Sequence, residues 1–130
     1  MKYQKGFTLI ESIIVITCAT LLIALFFIQK SNIDAMFRDE TRKTAINAFY
    51  YSLENDFYAH YGYYPEQISP EALPTVSSEL WVDPSGHAFN SPESSYKYTP
   101  ANCDNGTCKE YTLTATLEKE TAFVKTNSEH

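Results

Sequence analysis

Glycine and proline are absent from residues 7–61, a run of 55 positions without a strong helix breaker. The four glycines stand at positions 6, 62, 86 and 106, and all six prolines fall between Pro65 and Pro100. The first half of the chain is therefore closed to tight turns, and the second half holds them all. Cysteine is sparse, with Cys18, Cys103 and Cys108 only, which excludes a disulfide-dense scaffold. Basic residues are few: ten Lys and Arg against sixteen Asp and Glu, a formal charge of −6. That balance speaks against nucleic-acid binding through a broad basic patch, although a local basic site stays open. Histidine occurs only as His60, His87 and His130, far apart in the chain, and no nucleophile–base set or metal-ligand spacing surrounds them. Nothing in the sequence reads as an enzyme or calls for a cofactor. Internal repeats are also lacking.

What is present begins at the N-terminus. Phe7 to Ile28 is apolar over 22 residues, interrupted by a single charge, Glu11. As a helix this run measures about 33 Å, which matches a hydrocarbon core of about 30 Å. A secretory signal would be followed by small residues at a cleavage site, whereas Ile28 is followed by Gln29-Lys30-Ser31-Asn32. Lys2 and Lys5 precede the run, so the positive-inside rule places residues 1–6 in the cytoplasm. The acidic remainder then lies outside. Glu11 is the anomaly, because an ionised carboxylate in hydrocarbon costs about 2.5–3.5 kcal/mol even on lenient scales. Cleavage after Gly6 would supply a partner: a new positive amino group on Phe7, four residues before Glu11. A plain membrane anchor would account for the span but not for Glu11 or for the Gly-Phe junction.

Lys5-Gly6-Phe7-Thr8-Leu9-Ile10-Glu11 resembles the class III signal of type IV prepilins, a family that includes the pseudopilins of type II secretion. The close likeness covers the first thirty residues; beyond them only the organisation is similar. The resemblance implies a definite life history. A membrane prepilin peptidase cuts between Gly6 and Phe7 and methylates the Phe7 nitrogen. The subunit waits in the membrane with its folded part outside. A cytoplasmic ATPase and a platform protein then add it to an extracellular helical filament of like subunits and minor pilins. In this reading Glu11 pairs with a Phe7 amino group during assembly. Members of the family often carry a helix breaker within the apolar half; this chain has only Thr17, Cys18 and Thr20 as soft positions.

The rest of the chain fits an α+β plan, with a long helix packed on a small antiparallel sheet. The boundaries read as a leader at 1–6, a membrane and assembly half-helix at 7–30, and a globular part at 31–130. The globular part divides into a helix half at 31–61, a loop at 62–94 and a sheet at 95–126. Ile33, Met36, Phe37, Ile46, Phe49, Leu53 and Phe57 recur at helical spacing and predict the buried stripe, with Arg42 and Glu54 on other faces. Gly62 and Pro65 end the helix. The loop is expected to hold a turn near Pro70–Leu73 and to be anchored by Leu80, Trp81 and Val82. Tyr96–Thr99 and Lys109–Glu118 alternate as strands, with Tyr111, Leu113, Ala115 and Leu117 on one face, and a third strand is expected near Ala122–Lys125. Residues 127–130 are expected to fray.

Cys103 and Cys108 frame Asn105-Gly106, a strong signal for a two-residue hairpin turn. Outside the membrane the pair is expected as a disulfide, contributing about 2 kcal/mol because the loop is short; a reduced pair is the alternative. C-x4-C supplies only two ligands, so no metal is assigned there. Asp83, Ser85 and Glu93 offer oxygens in one loop, yet Asp83-Pro84-Ser85-Gly86 is equally an ordinary turn, and no metal is assigned there either. Ten tyrosines, six of them between Tyr50 and Tyr64, read as core with polar tips at the rim, with a subunit-contact surface as the other reading. Tyr61-Gly62-Tyr63-Tyr64-Pro65 and the Asp83 turn look like the pseudopilin branch. Three functions follow in order: a pilus subunit for attachment, motility or DNA uptake; a type II secretion pseudopilin; and a monomeric membrane-anchored binding protein.

Overall fold

The structure is a computed structural model that describes residues 6–129. The leader residues Lys2 and Lys5, and His130, lie outside the described residues. The chain divides into two compact units, Met1–Ala35 and Met36–His130. Helix α1 (Leu9–Tyr51) contributes to both.

In the first unit every described residue from Gly6 to Ser31 is exposed. Nothing among the described residues covers this apolar helix, which is long and apolar enough to cross a membrane. The second unit has its own core. Ala45, Ile46, Phe49 and Leu53 of α1 and the segment after it are fully buried against Tyr64, Tyr96, Tyr111, Leu113 and Ala115. Phe49 packs edge-on against Trp81 at 4.9 Å and against Phe89 at 4.4 Å, joining the loop to the helix. This is an α+β arrangement of pilin-like plan.

The helix stripe differs from the predicted one. Ile46, Phe49, Leu53 and Phe57 are buried, but Ile33, Met36 and Phe37 are exposed at 62%, 59% and 75%. Conversely, Asp39, Arg42 and Glu54 are buried. Periodicity fixes which residues share a face. It does not say how far along the helix that face is covered. After Tyr51 the chain passes through a π-helical segment, Ser52–Tyr58, before a last turn, α2 (Ala59–Tyr61). Hydrogen bonds from i to i+5 turn the chain less per residue, which shifts the helical phase and carries Glu54 inward beside Leu53. Gly62 ends the helix in the left-handed region at φ 75°, as its position implied.

The loop does hold a turn at Ser69–Leu73, where the Ser69 carbonyl accepts from Ala72 and Leu73. Its apolar anchors are Leu73 and Val76, both buried, with Leu80 and Trp81 partly buried on a 3₁₀ turn, Ser78–Trp81. Val82 is not an anchor: it is 46% exposed, because its extended backbone bridges to Ala88 and turns the side chain outward.

The sheet comprises β1 (Tyr64–Pro65), β2 (Tyr96–Asp104), β3 (Thr107–Ala115) and β4 (Phe123–Thr126), all pairing antiparallel with β3. Tyr111, Leu113 and Ala115 are buried and Leu117 is partly so, the face that alternation predicts. The β2–β3 hairpin closes at Asn105 and Gly106, with φ 48° and 81°, the left-handed pair that a tight hairpin turn requires. The Tyr98 N–H points away from β3 to Asn90 Oδ1, so two residues on the Pro100 nitrogen also faces the outer edge. A proline there removes a donor that a foreign strand could use.

Residues 127 and 128 are pinned, where fraying was predicted. Asn127 Oδ1 accepts from the Tyr111 N–H at 3.3 Å, the Ser128 N–H reaches Glu54 at 3.2 Å, and the Ser128 and Tyr50 hydroxyls lie 2.8 Å apart. These partners come from distant elements, which local sequence does not reveal.

Candidate processing and assembly site

Gly6, Phe7 and Thr8 are non-helical, and α1 begins at Leu9. The first turn is closed by a reciprocal cap. The Thr8 N–H and hydroxyl donate to Glu11 Oε2 at 3.1 and 3.2 Å, and the Glu11 N–H donates to Thr8 Oγ1 at 3.3 Å. This is a capping box, with Thr8 as N-cap and Glu11 three residues on. Two otherwise orphaned N–H groups are satisfied, and the carboxylate sits where the helix dipole favours it. The Thr-x-x-Glu signature ahead of an apolar run is legible in sequence. Gly6 and Phe7, the pair expected to be cleaved, are exposed, Phe7 at 77%.

Cys18 is a free, exposed thiol within the apolar helix. Cys103 and Cys108 are bonded to each other across the β2–β3 hairpin.

Within the second unit, buried charges tie the helix to the sheet side. Asp39 accepts from the N–H groups of Glu118 and Lys119 at 2.8 and 2.9 Å and from Arg42 Nη1 at 2.9 Å. Burial alone would raise the Asp39 pKa, but these donors outweigh it and hold the carboxyl below its ordinary value. Arg38 meets Glu118 with two 2.7 Å bonds, and Arg42 adds a third at 2.9 Å. The hydrogen bonds from Arg38 and then Arg42 pull Glu118 down to about 2. Arg42 Nε also donates to Ser95 Oγ at 3.2 Å.

The Ser95 hydroxyl donates onward to Asp83 at 2.9 Å, and the N–H groups of Ser85, His87 and Ser95 complete the shell of that carboxylate at 2.8–2.9 Å. Burial raises the Asp83 pKa, yet the donors from Ser95, His87 and Ser85 prevail and set it at about 2. Both Asp83 oxygens are thus engaged in organising the loop. Among the described residues no group of three His, Cys, Asp or Glu side chains is arranged to hold a metal ion. Glu54, on the π-helical segment, accepts from the hydroxyls of Tyr64 and Tyr111 at 3.0 and 2.8 Å. Burial, and then the bond to Glu54, raise both tyrosines well above their usual range. The buried tyrosines 64, 96, 98 and 111 form core, while Tyr51 and Tyr61 are exposed at 58% and 55%.

The chain's N-terminal part matches the prokaryotic N-terminal methylation motif over residues 1–27. No curated protein and no solved structure matches the chain at a significant level. The matched motif implies processing by a prepilin peptidase and assembly of the pilin kind, and the exposed apolar helix fits membrane anchoring before assembly. Residues 1–27 thus carry the class III signal that marks the type IV pilin and pseudopilin family.

Proposed function

We propose that the chain is a structural subunit of a type IV pilus and does no chemistry of its own. The peptidase cuts between Gly6 and Phe7, and the Phe7 nitrogen is methylated. The observation that carries this reading is the uncovered apolar helix with one carboxylate, Glu11, immediately behind an exposed Gly-Phe junction. Such a helix needs lipid before assembly and other copies of itself afterwards. In a bundle of these helices the Phe7 amino group of an incoming subunit meets Glu11 of its neighbour, and both charges leave water together. Removing one partner of such a pair typically costs about 3–5 kcal/mol, so a subunit docked one step out of place is rejected. The ATPase and platform protein of the assembly machine supply the work. Intact-mass measurement of sheared surface filaments tests the proposal. The expected mass lacks residues 1–6; retention of Met1–Gly6 in assembled material would contradict it.

A type II secretion pseudopilin is the second reading, favoured by the Tyr61-Gly62-Tyr63-Tyr64-Pro65 helix exit and the Asp83-centred turn. Long filaments on cells, against short ones confined to the envelope, separate the two. A monomeric anchored binding protein would keep its leader, so the same mass measurement addresses it.

A further inference from the structure

We infer that Thr8 is a positioning residue for cleavage: its cap keeps the scissile carbonyl of Gly6 out of the helix. The inference rests on the processing reading above. The first carbonyl to accept a helical hydrogen bond is that of Thr8, from the Ser12 N–H at 3.1 Å. The Glu11 N–H, which would otherwise bond to the Phe7 carbonyl four residues back, is taken by Thr8 Oγ1. The carbonyls of Gly6 and Phe7 accept no backbone hydrogen bond from the described residues. Hydrolysis adds a water oxygen to the Gly6 carbonyl carbon and a proton to the Phe7 nitrogen as the C–N bond breaks. A carbonyl locked into a helical turn must be released before that step.

The sequence shows what competes. Without a cap at Thr8, the next acceptable N-cap upstream is Gly6, since Gly ranks with Thr at that position. The helix would then begin at Phe7, and the Gly6 carbonyl would become the acceptor of the Ile10 N–H. No glycine or proline between Gly6 and Leu9 resists this extension. The cap therefore selects between two helix starts two residues apart, and only one leaves the scissile bond extended.

The test uses the full chain in detergent micelles with a purified prepilin peptidase. Thr8→Ala and Thr8→Val are expected to raise KM about threefold to tenfold with kcat unchanged, because only the extended fraction binds and an N-cap of ordinary strength sets that fraction. Thr8→Ser and Thr8→Asn are expected to cleave at the wild-type KM. Val matches Thr in shape while Asn matches it only as a cap, so the pair separates capping from a direct contact with the peptidase. Glu11→Gln is expected to keep the wild-type KM, since Gln completes a capping box as well as Glu does. A labelled Gly6 carbonyl is expected to move toward the helical chemical shift in Thr8→Ala and Thr8→Val, and to stay in place in Thr8→Ser and Thr8→Asn. Wild-type KM for Thr8→Ala, or a Thr8→Asn variant as poor as Thr8→Ala, would overturn the inference. Failure of the peptidase to cut the wild-type chain at Gly6–Phe7 would instead overturn the processing reading.

Discussion

The two units of this chain treat a carboxylate in opposite ways. In Met36–His130, Asp39, Glu54 and Asp83 are buried, and each collects donors from residues remote in sequence, such as Lys119 for Asp39 and Tyr111 for Glu54. In Met1–Ala35, Glu11 is exposed and, among the described residues, bonded only to Thr8, one helical turn away. One unit has satisfied its charges and its apolar surface internally. The other leaves its apolar helix uncovered among the described residues, and Glu11, the one charge within the apolar run 7–28, is held by a local cap. A self-sufficient fold and an uncovered helix share α1, a contrast that the proposed polymerisation would require.

Substitutions of like residues in covered and uncovered stretches of α1 sharpen this contrast. The largest effects are expected in the core. Phe49→Ala is expected to destabilise the second unit by about 3–5 kcal/mol, whereas Phe37→Ala, twelve residues earlier on the same helix and exposed, should stay within about 0.5 kcal/mol. Thermal denaturation in micelles checks both. Asp39→Ala removes one of the two carboxylates that the buried Arg42 meets at 2.9 Å, along with the acceptor of the Glu118 and Lys119 N–H groups, and is expected to cost about 3–5 kcal/mol. Asp34→Ala, on an exposed position of the same helix, should be nearly silent.

Acid titration gives a smaller, graded effect. Asp83 and Glu118 have folded-state values of about 2 against ordinary values of 3.8 and 4.5. Folding depresses both, so their contribution is complete above the unfolded values and is lost as pH falls through the folded ones. The melting temperature is expected to hold down to roughly pH 4.5 and to fall between there and about pH 2. Asp83→Asn should flatten that fall. Reducing the Cys103–Cys108 bond is expected to cost about 2 kcal/mol, and Cys18→Ala should change stability least of all.

These contrasts also show how much of the structure was legible in sequence. Gly62, Asn105-Gly106 and the alternation of Tyr111, Leu113 and Ala115 depend on local chemistry, and each marks its element correctly. Asp39, Arg42 and Glu54 were not legible as interior residues. A charge on an amphipathic helix reads as solvent-facing unless its partners are known, and here they include Glu118, Lys119 and Ser128, more than seventy residues away. The exposure of Ile33, Met36 and Phe37 has the same origin, since a stripe of apolar residues does not record where its cover ends. The π-helical segment has no local signature of its own. At the candidate processing site, Gly6, Phe7 and Glu11 are legible from their order behind the basic leader. Thr8 was equally legible, because a capping box needs only four consecutive residues.

In the proposed filament the charge of Glu11 serves assembly, separately from its place in the cap. Glu11→Gln removes the charge, keeps a capping partner and leaves the Gly6–Phe7 junction intact. The direct measurement is filament yield from cells expressing this variant, alongside the amount of processed subunit held in the membrane. Normal processing with membrane-held subunit accumulating and filaments lost is the expected result. Filaments at wild-type yield from Glu11→Gln would contradict it.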